Sequence, residues 1–286
     1  MPRSADELVA LLDLEPIEVN LFRGIQPDTE LQRVFGGQVA AQSLVAGART
    51  VEPPLSVHSL HSYFLRPGDV SVPIVYDVER MRDGRSFSTR RVVARQHGRP
   101  IYFMTLSFQV PEEGFEHQDV MPDVASPEDA RDLGALFREQ SDAQTGRWAN
   151  EWAALELRVI GDSGAGGVLG ADEHPARSQL WMRVTGQLDD TELTHKAAFT
   201  YASDMTLLAS SLVPHGVPIA SPRVQSASLD HTIWFHRPFR ADQWLLYDQV
   251  SPSASGARGL ALGRVFTQDG RLVASVAQEG LIRPRG

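Results

Sequence analysis

The same residue pattern occurs twice in this chain of 286 residues, once in each half. Three motifs recur: Phe-x-Arg-Pro at 64–67 and 235–238, Tyr-Asp at 76–77 and 247–248, and Gly-Arg at 98–99 and 270–271. The offset is 171 for the first two motifs and 172 for the third. A period this long excludes a solenoid, whose repeats span about 20–50 residues. The repeat therefore predicts two copies of one α+β module.

Each half has a segment of small and apolar residues, followed by strand-like runs that are separated by turns. In the first half a helix is expected within 34–50, and strands are expected at 57–65, 73–80, 86–96 and 101–110. In the second half a helix is expected over 194–212, and strands at 156–160, 178–184, 226–235, 244–250, 257–267 and 272–282. Two shorter helices are expected, one over 5–12 with Ser4 as its cap and one around 127–139. Apolar residues on every face of the first-half helix indicate that this helix is buried.

A helix buried along the antiparallel sheet that follows it is the layout of a hotdog module. The sequence thus predicts an α+β double hotdog: two tandem modules, each a long central helix packed on an antiparallel sheet, that pair into one continuous sheet. The N-terminal module is expected over 1–110 and the C-terminal module, with the catalytic residues, over 155–286. The segment 111–154 is rich in Pro, Glu and Asp and is interpreted as the connection between the modules.

Composition excludes several classes of function. The chain has no cysteine, which excludes disulfides, thiolate nucleophiles, Fe–S clusters and cysteine-bound zinc. The formal net charge of −9 argues against binding to nucleic acid and against stable association with an anionic membrane. Gly-x-Ser-x-Gly, a phosphate-binding Walker loop and His-Glu-x-x-His are all missing. A cytoplasmic protein is expected, because there is no signal-like segment and no apolar run of about 18 residues.

Three polar residues of the second half are candidates for a site. Asp204 is expected inside the helix over 194–212, in a mostly apolar segment, and burying a carboxylate is costly unless it is paired or hydrogen-bonded. Ser228 and Gln278 lie in the expected strands. Taken alone, each would be interpreted as an ordinary polar residue on the surface of a strand. The repeat offsets, however, place Val57 and Leu106 at the equivalent positions of the first half. The second half thus has polar residues where the first half has apolar ones, which predicts one site that is kept in the second module and lost in the first.

Two further residues are expected to contribute to substrate binding. His58 and His61 are three residues apart, so in a strand they face opposite sides and a shared metal site is not expected. His58 is assigned a supporting role at the substrate, with packing beside the central helix as the alternative. Gly37 follows Gly36 at the start of the buried helix, where backbone amides can polarise a carbonyl oxygen.

The chain resembles the acyl-CoA thioesterase II family, the double-hotdog thioesterases. The resemblance is carried, in order along the chain, by Leu-Phe-Arg-Gly (21–24), Val-Phe-Gly-Gly-Gln (34–38), the segment 58–69, Asp-Gly-Arg-Ser-Phe (83–87), Gly-Phe-Glu-His-Gln (114–118), Tyr-Ala-Ser-Asp (201–204), the segment 230–238, Ala-Ser-Gly-Ala-Arg-Gly (254–259) and Gln-Glu-Gly (278–280). In that family an Asp, a Thr or Ser and a Gln form the active site. Here these residues correspond to Asp204, Ser228 and Gln278.

The resemblance implies hydrolysis of an acyl-CoA thioester to a free acid and CoA. Asp204 would act as general base on a water that Ser228 and Gln278 hold, without metal, cofactor or covalent intermediate. It also implies a homo-oligomer, a dimer or tetramer. Two alternatives stay open: a hotdog enoyl-thioester hydratase or dehydratase, and a non-catalytic acyl-CoA binding module. The chain length of the acyl group, and whether CoA or a carrier protein bears it, are not determined by the sequence.

Overall fold

The computed structural model describes residues 1–139, 151–170 and 174–285. The helices are α1 (Ala5–Leu12), α2 (Gly36–Ala48), α3 (Leu133–Glu139), α4 (Glu192–Ser203) and a 3₁₀ helix (Leu207–His215). The strands are β1 (Glu15–Glu18), β2 (Leu21–Gly24), β3 (Ser56–Phe64), β4 (Ile74–Asp83), β5 (Phe87–Gln96), β6 (Arg99–Gln109), β7 (Arg131–Asp132), β8 (Leu155–Asp162), β9 (Arg177–Val184), β10 (Val224–Ser228), β11 (Asp230–Phe235), β12 (Leu245–Ser255), β13 (Arg258–Thr267) and β14 (Leu272–Pro284).

The strands of both halves form one sheet. Its order is β1-β2-β4-β5-β6-β3-β11-β14-β13-β12-β9-β8-β7, and β10 pairs with β14 beside β11. The halves meet where β3 runs antiparallel to β11, with Leu60 opposite Ile233 at the centre of the pairing. Main-chain hydrogen bonds therefore continue from one half to the other, and the predicted continuous sheet is confirmed.

The strand registers agree with both repeat offsets. In β3 and β6, Val57 lies opposite Phe108, and the register then shifts by one residue. Adding 171 to the first position and 172 to the second gives Ser228 and Gly280, which lie opposite each other in β10 and β14. The two halves thus share one strand register, so Ser228 is the structural counterpart of Val57.

The central helices α2 and α4 lie against the sheet and against each other. Residues 37–47 of α2 are all buried, as predicted from its apolar composition. Small residues make this close packing possible: a Cβ atom on Gly37 would collide with the carbonyl oxygen of Tyr201 in α4, and one on Gly47 would collide with Leu106 in β6. The N-terminus of α2 thus lies directly against the backbone of α4 near its C-terminus.

Two elements of the second half are shorter than predicted. The helix expected over 194–212 ends at Ser203, and a 3₁₀ helix follows from Leu207. The hydroxyl of Ser203 lies 3.0 Å from the carbonyl of Thr200, and the N–H of Met205 bonds to the carbonyl of Ala202, three residues back. Both contacts compete with the α-helical hydrogen bonds and tighten the last turn. The prediction that Asp204 lies inside the helix was therefore wrong, because Asp204 is its C-terminal cap.

The second shortened element is the strand expected over 226–235, which forms as β10 and β11 with a break at Leu229. The N–H of Leu229 bonds to the carbonyl of Glu279, and the N–H of Glu279 bonds to the Asp230 carboxylate. The sheet is thus locally irregular where β10 and β11 both pair with β14. Such an irregularity redirects side chains at the end of a strand.

The connection between the halves packs along the outer surface of the second half. Its Gln118 side chain accepts from the N–H of Leu272 and donates to the carbonyl of Gly270. The helix expected around 127–139 begins at Leu133, after the short strand β7, and residues 140–150 of the connection lie outside the described residues. Helix α1 forms as predicted, with Ser4 Oγ accepting from the N–H of Glu7. Within the described residues, no helix is long and apolar enough to span a bilayer.

Candidate active site

A cavity of about 560 Å³ opens between the two halves, beside the N-terminus of α2. Most of its walls are apolar. The first half contributes Val34, Phe35, Gly36, Val39, Phe64 and Tyr102, and the second half contributes Met205, Leu208, Ile219, Ala227 and Leu229. Asp204 and Ser228 are polar groups of the second-half wall. A long apolar group with one polar end fits a cavity of this composition.

Asp204, Ser228 and Gln278 form a hydrogen-bonded triangle at this wall. The hydroxyl of Ser228 donates to Oδ1 of Asp204 over 3.0 Å. The Nε2 amide group of Gln278 donates to the same oxygen over 2.6 Å and to Ser228 Oγ over 2.7 Å. The structure therefore brings together the three residues that the sequence separates by up to 74 positions.

Each member of the triangle is held by a different element. Asp204 caps the C-terminus of α4, Ser228 is the last residue of β10, and Gln278 is fully buried in β14. Ser228 lies opposite Gly280, two residues beyond Gln278 on the same strand. The break after Ser228 ends β10 at the point where its hydroxyl reaches Asp204.

The environment of Asp204 favours its protonated form, but not strongly. Burial raises the pKa of Asp204 to about 6, although hydrogen bonds from Ser228, Gln278 and the backbone N–H of Gly37 act in the opposite direction. Gly37 is at the N-terminus of α2, where the helix dipole also favours a negative charge. A carboxylate with this pKa is mostly ionised at neutral pH and still basic enough to take a proton.

The two glycines at the start of α2 allow this contact between the halves. A Cβ atom on Gly36 would collide with Oδ2 of Asp204 and lie 2.8 Å from the ring of Phe64. The N–H of Gly37 is engaged with Asp204 itself. Gly37 therefore reaches the site through its backbone, and its direct contact with a substrate stays a prediction.

The structure does not bring His58 to the triangle. Its Nε2 atom lies 2.8 Å from Ser107 Oγ, its ring contacts Phe87 edge-on, and it is not among the residues that line the cavity. These contacts are with β5 and β6, and the supporting role of His58 at the substrate stays a prediction. Two arginines to which the sequence assigned no role, Arg33 and Arg66, lie at the cavity with exposed side chains. The repeated Phe-x-Arg-Pro motif is the signal that singles out Arg66.

Among the described residues, no group of three or more His, Asp and Glu side chains is placed to hold a metal ion. The triangle itself offers one carboxylate, one hydroxyl and one amide. This donor set suits a water molecule and a proton transfer.

Comparison with known proteins shows the family. A family model described as Acyl-CoA thioesterase matches residues 157–281, and one described as Acyl-CoA thioesterase N-terminal domain matches residues 25–109. The chain is 39% identical to Acyl-CoA thioesterase 2 of Haemophilus influenzae over 278 residues, which is 97% of each chain. The chain belongs to the acyl-CoA thioesterase family. It is therefore a hydrolase of acyl-CoA thioesters, as predicted.

Solved structures agree with this family membership. The acyl-CoA thioesterase II TesB2 from Mycobacterium marinum is similar, with 45% identity, a TM-score of 0.83 and coverage of 98% of this chain and 99% of that one. A conserved protein of unknown function with a hotdog fold from Alicyclobacillus acidocaldarius has a TM-score of 0.78 at 22% identity, covering 98% of each chain. The second likeness concerns the fold alone. Together with the continuous sheet, these similarities confirm the double hotdog.

Proposed function

We propose that this protein hydrolyses fatty acyl-CoA to a free fatty acid and CoA by activating one water molecule at Asp204, Ser228 and Gln278. The observation that carries the proposal is the triangle of these side chains, two of which, Asp204 and Ser228, line a mostly apolar cavity. Water donates one hydrogen to the Asp204 carboxylate, while Ser228 and Gln278 fix its orientation. Held in this way, the water oxygen points towards the thioester carbon.

The reaction follows from this arrangement. The water oxygen attacks the carbonyl carbon while Asp204 accepts the proton. The C–S bond then breaks, and the departing CoA thiolate takes up the proton that Asp204 received. The Gly37 N–H and the N-terminus of α2 keep Asp204 ionised before the attack. Ser228 holds water in this scheme and is not acylated.

The substrate is oriented by the two ends of the cavity. The acyl chain lies among the apolar residues between the halves, where its burial contributes about 0.8 kcal/mol for each methylene. Arg33 and Arg66, at the cavity and exposed to solvent, face the CoA phosphates. An arginine fork pairs well with phosphate oxygens. His58 has no part in this scheme, because its ring bonds to Ser107 away from the cavity.

The proposal includes the division of the chain that the sequence predicts. The module over 155–286 supplies all three residues of the triangle, and the module over 1–110 supplies the N-terminus of α2 and half of the cavity wall. Residues 111–154 connect them. A homo-oligomer and a cytoplasmic location remain predictions, and sedimentation velocity of the purified protein tests the first.

The experiment compares wild type with Asp204→Asn, measuring thiol release from acyl-CoAs of short, medium and long chain length. We expect the variant to lose about 10²–10⁴-fold in kcat, the usual contribution of a general base, while its affinity for acyl-CoA is retained. Mass spectrometry during turnover should show no acyl group on Ser228.

Four outcomes would contradict the proposal. Full activity of Asp204→Asn would remove Asp204 as the base, and a stable acyl-Ser228 adduct would make Ser228 the nucleophile. Hydration of crotonyl-CoA without thiol release would favour the hydratase alternative. Tight binding of acyl-CoA without any turnover would favour a binding module.

A further inference from the structure

His231 and Gln278 face each other across two adjacent strands. In β11 and β14, Ile233 lies opposite Val276, and both side chains are buried. His231 and Gln278 are the next buried positions on the same face, two residues further along each strand, and both are fully buried. Side chains at such positions on neighbouring antiparallel strands are in contact distance.

The internal repeat identifies this pair as a feature of the second half alone. Subtracting 171 from position 231 and 172 from position 278 gives Leu60 and Leu106. These two leucines lie directly opposite each other in β3 and β6, and both are fully buried. The same structural position thus holds two apolar side chains in one half and two polar side chains in the half with the triangle.

The remaining hydrogen-bonding groups of the pair are complementary. Nε2 of His231 lies 2.8 Å from the hydroxyl of Ser203. Nδ1 of His231 and Oε1 of Gln278 are both buried, and neither has a hydrogen-bond partner among the described residues. Burial lowers the pKa of His231 to about 4, while the neighbouring Gln278 side chain acts in the opposite direction. The ring is therefore neutral at pH 7, with a single N–H.

The position of that N–H follows from the triangle. The Nε2 group of Gln278 donates to Asp204 Oδ1 and Ser228 Oγ, so its oxygen points away from them, towards His231. The buried Oε1 of Gln278 gains a hydrogen-bond donor when Nδ1 of His231 carries the hydrogen. Nε2 then accepts from the Ser203 hydroxyl, which turns its single hydrogen from the Thr200 carbonyl, 3.0 Å away, to this nitrogen at 2.8 Å. Each group in the series Ser203, His231, Gln278 then donates a hydrogen bond to the next one, and the series ends at the Asp204 carboxylate.

We propose that His231 is a positioning residue for the thioesterase reaction: its Nδ1–H donates to Gln278 Oε1 and thereby holds the Gln278 amide with its Nε2 towards Asp204 and Ser228. The inference rests on the proposed function of the triangle and extends it by one residue. Without His231, the amide of Gln278 can turn over and bring its oxygen against the carboxylate. The water would then lose a hydrogen-bond donor, and the lone pairs of the Gln278 oxygen would face those of the Asp204 carboxylate.

The decisive comparison is between His231→Leu and His231→Asn. Leucine restores the apolar pair of the first half, so the variant is expected to fold, as circular dichroism and the thermal midpoint would show. We expect kcat for thiol release to fall about 10–100-fold with KM nearly unchanged, because geometry at the reacting water is lost while the cavity is intact. Asparagine places an amide donor where Nδ1 stood, so it should recover most of kcat.

His236→Asn serves as the matched control. His236 follows the end of β11, bonds to Ser275 and does not line the cavity. Its replacement should leave kcat and KM at wild-type values. Wild-type kcat in His231→Leu, or no recovery in a folded His231→Asn, would overturn the proposal.

A double-mutant cycle separates this inference from the proposal on which it rests. If His231 acts through Gln278, adding His231→Leu to Gln278→Leu should cause no further loss in kcat. A further loss of the full 10–100-fold would show that His231 acts independently and would overturn the inference. If Gln278→Leu alone keeps wild-type kcat, the water-holding triangle itself is wrong.

Discussion

The carboxylate of Asp204 is removed from water and still receives hydrogen bonds from three parts of the chain. Burial alone would raise its pKa, and the donors Ser228, Gln278 and Gly37 limit the rise. The balance leaves the pKa of Asp204 at about 6. The chemistry of this residue therefore depends on partners from both halves, and a change in any of them alters its basicity.

We predict that kcat/KM for thiol release falls below about pH 6, tenfold for each pH unit. In the proposed mechanism the general base must be ionised in the free enzyme, and protonation of Asp204 removes it. The neighbouring groups do not titrate in this window, because burial raises the pKa of Tyr102 and of Tyr247 and lowers that of His231 to about 4. The measurement is a pH–rate profile between pH 4.5 and 9.

Gln278→Leu provides the control for that profile. It removes a hydrogen bond that lowers the pKa of Asp204, so the acid limb of its residual activity should move to higher pH. An acid limb near pH 4 in the wild type would contradict the effect of burial. An acid limb that stays in place in Gln278→Leu would contradict the role of this hydrogen bond.

At the scale of elements, the N-terminus of α2 meets the C-terminus of α4 through two glycines with different neighbours. Gly36 faces the Asp204 side chain and the ring of Phe64, whereas Gly37 faces the backbone carbonyl of Tyr201. A side chain can move aside, but the backbone of a buried helix cannot do so without repacking. The two positions should therefore respond differently to the same added methyl group.

We predict that Gly36→Ala lowers activity and Gly37→Ala lowers stability. In Gly36→Ala the new methyl displaces the carboxylate, so kcat should fall at least tenfold, while the free energy of unfolding changes by less than about 1 kcal/mol. In Gly37→Ala the helices must separate, which costs about 1–3 kcal/mol. Urea unfolding and thiol release, measured on both variants, check the contrast. Wild-type kcat in Gly36→Ala would show that Asp204 has more freedom than its contacts indicate.

At the scale of the molecule, the two halves are joined by one strand pairing and by a buried cation beside it. Lys196 of α4, the single lysine of the chain, donates to the carbonyl of Val57 over 2.6 Å and to Ser56 Oγ over 3.0 Å, both in β3. Glu192 supplies the counter-charge one turn earlier in α4, and the Phe235 ring lies 5.3 Å from the ammonium group. The second half thus binds the first through a charged group that is almost fully buried.

We predict that Lys196→Met lowers the free energy of unfolding by about 1–3 kcal/mol, because it leaves the buried carbonyl of Val57 without its donor. Since the pairing of β3 with β11 still joins the halves in this variant, urea should unfold the whole chain in one transition, at a lower midpoint. Glu192→Gln is the control: its carboxylate is half-exposed, so the loss should be below about 1 kcal/mol. Two separate transitions in the wild type would show that the halves are stable independently.

The sequence by itself determined the two-fold repetition, because three motifs recur at a nearly constant offset, and the buried helix α2, because small and apolar residues cover all of its faces. It also singled out Asp204, as a carboxylate in a mostly apolar segment, and Ser228 and Gln278, as polar residues that break the repeat. The resemblance to a known family added the activity and the roles of these residues.

Only the tertiary structure decided where α4 ends, that β10 breaks after Ser228, that the Gly37 N–H bonds to Asp204 and that His231 faces Gln278. These features depend on backbones that approach closely and on the register between strands that lie far apart in the chain. Local periodicity carries no information about either. The pKa of Asp204 has the same origin, because the groups that set it come from three elements and both halves of the molecule.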